Sequence, residues 1–239
     1  MDFSTIAFCI QTDDMTIDEI IKCDIQHADV NGVRHYKTPS GEPYPSVTSV
    51  LRETKDTEAL DAWRERIGEA EAQRIMEEAA NRGSHMHALI EKHHINGGSV
   101  TDEMKAEHED GYGYYMKMLP LLSNFGEIKA NEIALWSDNL KVAGRCDCIA
   151  EYKGELSIID YKSSRAQKRA DWIEDYFLQC TLYSMMLYEL TGIAAKKIVV
   201  LISPETGKAQ EFIRDTKYYV RKAMSRVRLY HNRFGSSGA

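Results

Sequence analysis

Long apolar runs are missing from this 239-residue chain, and none approaches the roughly 20 residues that a membrane-spanning helix requires. The N-terminus shows neither a basic flank nor a small-residue cleavage site, so no secretory signal is read there. Cysteine is sparse and odd in number: Cys9, Cys23, Cys146, Cys148 and Cys180 leave one thiol over in any disulfide scheme, which fits a reducing compartment. The expectation is an intracellular protein with no membrane partner. Internal repeats and low-complexity segments are absent as well. What is present, 43% hydrophobic and 28% charged residues, suits one large globular domain or a domain with an added arm.

A basic footprint is also lacking. The formal net charge of −7 weighs against a phosphate-rich partner. The charge is unevenly spread, however. Residues 1–30 hold Asp2, Asp13, Asp14, Asp18, Glu19, Asp24 and Asp29 against Lys22, whereas 217–233 hold Lys217, Arg221, Lys222, Arg226, Arg228 and Arg233 with no acid. Such a distribution permits a local positive surface, and equally a solvated helix face.

Turn residues and periodicity divide the rest. "PSGEP" marks a loop ahead of Ser46. Helical spacing runs over 56–94, with Gly83 expected to end one helix and Ser84 to cap the next. Another helix is expected over about 102–123. From Lys129 the period becomes two: "ANEIALWS", "LKVAGRCDCIAEY" and "ELSIIDYKS" read as strands joined by the two-residue turns "DN" and "KG". A helix over 170–191, strands "KKIVVLIS" and "AQEFIRD", and a helix over 216–233 complete the order. This predicts an α+β fold with a mixed central sheet flanked by helices and a helical N-terminal elaboration. The divisions expected are an acidic segment 1–35, a helical part 36–125, a core 126–234 and a disordered tail 235–239.

Alternation along strands puts Asp160 and Lys162 on one face, with Tyr161 on the other. If Lys153-Gly154 is a two-residue turn, Asp147 falls opposite Asp160 and Arg145 opposite Lys162. If Asp138-Asn139 is another, Glu132 falls opposite Arg145. Glu132, Asp147, Asp160, Arg145 and Lys162 then share one patch. Opposed like charges destabilise a sheet. Either a divalent cation sits between them, with hard oxygen ligands suiting Mg²⁺ or Mn²⁺, or the patch is an acidic sheet edge with solvated ion pairs. The histidines of "RGSHMHALIEKHH" (82–94) read first as a solvated helix face, with chemistry the alternative.

"GRCDCIAEYKGELSIIDYKSS", carrying Asp147 and the Asp160-Tyr161-Lys162 element, resembles the core of the PD-(D/E)XK nuclease superfamily. "GSHMH" resembles the Gly-[Ser/Thr]-x-x-His element of its RecB-type branch, and "LQCTLYSMML" that branch's Gln-x-x-x-Tyr helix. "YPSVTSVL" with "AWRERIGEAEAQRIMEEAANRG" is similar to phage-type exonucleases related to the mitochondrial genome maintenance exonuclease. The resemblance spans about residues 36–203. It implies a metal-dependent exonuclease acting on DNA, single-stranded or with a free end, in phage-type replication, recombination or repair; a site-specific endonuclease or an inactive DNA-binding module is the alternative. A phage origin would place it in the cytoplasm of a bacterial host. The implied metal ligands are His87, Asp147, Asp160 and the Tyr161 carbonyl, for Mg²⁺ or Mn²⁺. Lys162 would orient the attacking water, Glu132 would act as outer ligand or partner to Arg145, and Gln179 and Tyr183 would support the site or touch phosphate. Arg145, Ser163, Arg221 and Lys222 are the expected substrate-binding residues. Glu91 would orient His87 or hold water, while His85, His93 and His94 match nothing in the motif. No cysteine follows Cys180, so no iron–sulfur cluster is expected. Cys146 and Cys148, expected on one strand face opposite Asp147, make a poor zinc pair.

Overall fold

Two-residue turns with both residues in left-handed conformation match the twist of paired strands, and the described residues use this device at Asn31-Gly32 and Lys153-Gly154. The computed structural model describes residues 15–23 and 25–235. After helix α1 (Ile17–Ile21), the Asn31-Gly32 turn (φ +55° and +77°) joins β1 (Gln26–Val30) to β2 (Val33–Lys37), and β3 (Pro43–Pro45) completes a small antiparallel sheet. Its second strand spans residue 35, the end expected for the acidic segment. The second such turn, Lys153-Gly154 (φ +52° and +81°), joins β5 (Val142–Tyr152) to β6 (Glu155–Ser164) with Tyr152 opposite Glu155, as the sequence predicts.

The large sheet has the order β4-β5-β6-β7-β8, with β4 at Phe125–Ser137, β7 at Lys197–Pro204 and β8 at Gln210–Asp215. Only the β6–β7 pair is parallel. The connection between them carries α7 (Glu174–Thr191), as a parallel crossover requires. Between β4 and β5 the turn differs from expectation: Ser137 pairs with Val142, so the loop is Asp138–Lys141 and not Asp138-Asn139 alone. The register therefore shifts by two, one full side-chain period. Arg145 faces Ala134 rather than Glu132, and Glu132 falls between the pairs Ile133–Cys146 and Asn131–Cys148, level with Asp147. The β5–β6 ladder ends at Cys148–Ile159, one step short of Asp147 and Asp160, so Arg145 and Lys162 are not ladder partners.

Helices cover both faces. On one, α7 buries Phe177, Leu178 and Leu182 against Ile158, Ile198 and Val200, with α2 (Val47–Glu53) and α8 (Val220–Phe234) joining the same core. A helix that is apolar all round belongs inside, and α7 is buried at most positions. On the other face lie α4 (Glu69–Ile95), α5 (Asp102–Glu107) and α6 (Glu109–Leu122), with α3 (Glu58–Ile67) set against α4; α4 and α6 pack Met86, Leu89, Tyr115 and Met118 over Ile159, Tyr161 and Leu201. Cys146 packs with the α7 side and Cys148 with the α4 side, contrary to the shared face expected. The reversal occurs where β4 carries Glu132 at φ +48°, an uncommon backbone for a residue with a side chain.

The helix break expected near Gly83 is not there. α4 runs through it unbroken, and the chain turns instead at Gly68 (φ +86°). A mid-helix glycine costs only about 1 kcal/mol, which the packing of Met86, Leu89 and Ile90 exceeds. The expected 102–123 helix is divided at His108 into α5 and α6. Of the tail expected at 235–239, residues 236–239 lie outside the described residues, as do Asp2, Asp13, Asp14, Cys9 and Asp24.

Gly111 sets the approach of α6 to α4: a Cβ there would lie 2.3 Å from the Met86 backbone nitrogen. Gly113, two residues on, meets nothing within 4 Å. Gly111→Ala is expected to destabilise by about 1–3 kcal/mol through overpacking, while Gly113→Ala stabilises by up to about 1 kcal/mol through helix propensity. Urea denaturation of both variants checks this; equal effects would mean the helices do not cross as closely as described.

Candidate active site

The site lies where β5 and β6 stop pairing and their polar groups need other partners. Asp160 is 1% exposed. Its Oδ1 accepts hydrogen bonds from Lys162 Nζ at 2.5 Å and Gln179 Nε2 at 3.0 Å, while Oδ2 is buried without a partner among the described residues. Tyr161, facing the opposite layer, offers its backbone to the site: its N–H donates to Asp147 Oδ2 at 2.9 Å, and its carbonyl accepts from His87 Nε2 at 2.7 Å. A carbonyl only accepts, so that bond fixes the hydrogen on Nε2 and turns Nδ1 toward Glu132 Oε1 (3.6 Å) and Asp147 Oδ2 (3.7 Å). Nδ1 and these carboxylates lie within 4.8 Å of one another.

Burial opposes the imidazolium form of His87, but the Asp147 and Glu132 carboxylates outweigh it and lift its pKa to about 9. Burial, resisted by Lys162 and reinforced by Asp147, raises the Asp160 carboxyl to about 6. Lys162 is shifted upward: burial works against its charge, and Asp160 and Asp147 prevail. Burial also pushes the Cys148 thiol up to about 12, which makes it a poor thiolate donor.

The bare Oδ2 of Asp160 beside the His87, Glu132 and Asp147 cluster fits a small divalent cation: buried acceptors are rarely left unanswered, and oxygen with imidazole nitrogen is a donor set for Mg²⁺ or Mn²⁺. Glu132, expected at most as an outer ligand, stands in the cluster itself.

The other expected residues are dispersed. Arg145 is exposed and lines the cleft beside Glu132, and Ser163 lines it further along β6, opposite Gly83 and Ala80 of α4, in a hollow of about 640 Å³. Gln179 reaches the site by holding Asp160. Tyr183 is buried with its ring against Gly144, where a Cβ would come within 2.9 Å of it. Arg221 and Lys222 line neither hollow of the cleft; Lys222 pairs with Glu174. Glu91 lines the cleft, whereas His93 bonds the Tyr115 hydroxyl and His94 the Asn131 side chain. Sequence reasoning missed His27, Arg34 and Tyr36, which form a further wall; the Asn-Gly turn was the signal that a hairpin stood there.

A family model of the PD-(D/E)XK nuclease superfamily matches residues 42–229. The chain belongs to that superfamily. Among relatives of this PD-(D/E)XK protein, mitochondrial genome maintenance exonuclease 1 of Mus musculus is 29% identical over 136 residues, covering 52% of this chain and 38% of the relative. The Xenopus tropicalis protein of that name is 31% identical over 140 residues, covering 56% and 39%. The chain thus spans less than two fifths of the length of these relatives. A solved structure from Eubacterium rectale aligns with 62% of this chain and 65% of its own at 12% identity, with a TM-score of 0.42. No helix among the described residues is long and apolar enough to cross a membrane.

With a pKa of about 9, His87 carries a proton at pH 7, and a cation taking Nδ1 must expel it. Mn²⁺ affinity is therefore expected to rise by about tenfold per pH unit toward pH 9, with about one proton released per ion at pH 7. Calorimetry in buffers of different ionisation enthalpy measures this, and zero release would remove His87 from the ligand set. The sign for the metal-free protein runs the other way. The stability contributed by His87 is complete below its ordinary value of 6.5 and is lost as pH rises through about 9.

Proposed function

We propose that the protein hydrolyses phosphodiester bonds in DNA, acting as an exonuclease from a free end with Mg²⁺ or Mn²⁺. The observation that carries this reading is the unpartnered buried Oδ2 of Asp160, two residues from a lysine and beside the His87, Glu132 and Asp147 cluster. His87, Asp147, Asp160 and Glu132, with the Tyr161 carbonyl, would hold the cation. When bound, the cation neutralises charge on the scissile phosphate and lowers the pKa of attacking water.

The chain's own residues do the positioning. Lys162, charged and anchored on Asp160 Oδ1, is placed to orient water and to offset charge that builds on the phosphate. Gln179 restrains Asp160 from the α7 side, which keeps Oδ2 turned inward. His87, tied to the Tyr161 carbonyl, keeps its ring plane fixed against the sheet. The free-end preference rests on the names of the relatives. A role in phage-type DNA replication, recombination or repair inside a cell rests on the sequence resemblance.

Lys162→Ala and Asp160→Asn are each expected to abolish hydrolysis while DNA binding stays measurable. Digestion of end-labelled strands and duplexes, with each end blocked in turn, tests activity and end requirement together. Activity within tenfold of wild type in either variant would falsify the site, and nicking of closed circular plasmid would convert the reading to an endonuclease. His87→Ala is expected to lose about a hundredfold, the upper range for disturbing a metal's surroundings, with His93→Ala and His94→Ala nearly silent. Equal losses in all three would sink the assignment of His87.

A further inference from the structure

The wall built by the small sheet has no role in this chemistry, yet it faces it. His27 pairs with Tyr36 and Asp29 with Arg34 across the β1–β2 ladder, so all four side chains share one face. His27, Arg34 and Tyr36 line the same hollow, of about 450 Å³, as Asp147, Arg145 and Lys162. Arg34 is exposed and, among the described residues, makes no ion pair: Asp29 gives Oδ1 to the Gly32 N–H at 2.8 Å instead. Arg145 is likewise unpaired, in contrast to Lys162 on Asp160 and Arg226 on Asp175. Their backbones are linked. The Arg34 carbonyl accepts the Ser46 N–H at 2.9 Å, and Ser46 bridges to Ala143, two residues before Arg145. Two free guanidinium groups are thus held on elements bonded to one another, at the edge of a carboxylate cluster that alone would repel an anion.

We infer that Arg34 and Arg145, with His27 beside them, form a phosphate-binding subsite that holds the substrate strand next to the bond being cut, an inference that rests on the hydrolase reading. A guanidinium presents paired donors in a plane that matches two phosphate oxygens. The ligand is a phosphate oxyanion, supplied either by an internal diester or by a terminal monoester.

Fluorescence anisotropy in chelator, with the full chain and single strands bearing a 5′-phosphate, a 3′-phosphate or neither, tests the subsite without cleavage. Arg34→Ala is expected to weaken binding by about tenfold and to make the salt slope shallower by about 0.7, the value for one phosphate contact on a single strand. Arg34→Lys should restore the slope but only part of the affinity, and Lys37→Ala, on the opposite face of β2, should change neither. An equal loss on all three strands assigns an internal diester. A loss concentrated on one phosphorylated end assigns a terminal monoester. Unchanged affinity and slope in Arg34→Ala, or the same loss in Lys37→Ala, overturns the subsite. With Mg²⁺ present, KM should rise in Arg34→Ala while kcat falls by less than about tenfold. Cleavage indifferent to Arg34 would remove only the subsite, whereas Arg34-dependent binding without any cleavage would remove only the hydrolase reading.

Discussion

Asp160 is a carboxylate sealed in the sheet with one oxygen answered twice and the other not at all. Leaving a buried polar group unpaired costs about 1–3 kcal/mol, and more when it is charged. The surroundings are arranged to tolerate that cost. Lys162 and Gln179 hold the first oxygen from two directions, and burial with the nearby Asp147 charge leaves the group half-inclined to stay protonated near pH 6. Tyr161, between the acid and the lysine, spends its N–H on Asp147 and its carbonyl on His87, so the three-residue stretch is bonded from α4, β5 and α7 together. That clamp sets where Asp147 and His87 stand relative to Asp160.

Glu132 shows how the sheet is bent to serve it. A side-chain-bearing residue at positive φ costs about 1–2 kcal/mol. Here it coincides with the point where β5 exchanges its inner faces, so that Cys146 and Cys148 go to opposite layers while Asp147 turns to the His87 ring. Glu132 thereby joins Asp147 as the second carboxylate at that ring. The same irregularity explains why two cysteines in a C-x-C spacing do not converge.

Much of this was legible because strand parity survives small errors. The Lys153-Gly154 turn gave the β5–β6 register directly, and the mistaken length of the β4–β5 loop shifted Glu132 by two residues, which left it on the same face and moved it from Arg145 to Asp147. What failed was of another kind. Gly83 reads locally as a helix end, but packing of α4 over the sheet overrides a preference of about 1 kcal/mol. The β1–β2 hairpin lay inside a stretch judged by its acids, so Arg34 and His27 went unread although Asn31-Gly32 marks the turn. The basic run at 217–233 drew attention by number, yet in the folded chain Lys222 and Arg226 are engaged by Glu174 and Asp175.

That contrast bears on how an acidic protein can handle a polyanion. Net charge governs the far field, but within a Debye length of about 8–10 Å the local groups decide. The cleft concentrates Arg34, Arg145 and Lys162 against Glu132 and Asp147, with Asp160 buried behind Lys162. Without a cation the carboxylates would still repel a phosphate placed among them, and the guanidinium groups at their edge would be what holds the strand. A divalent ion on the carboxylates would change the sign of the balance, so the acids that repel an anion would become the reason it binds, and on the proposed reading the two guanidinium groups would set where along a strand the site docks.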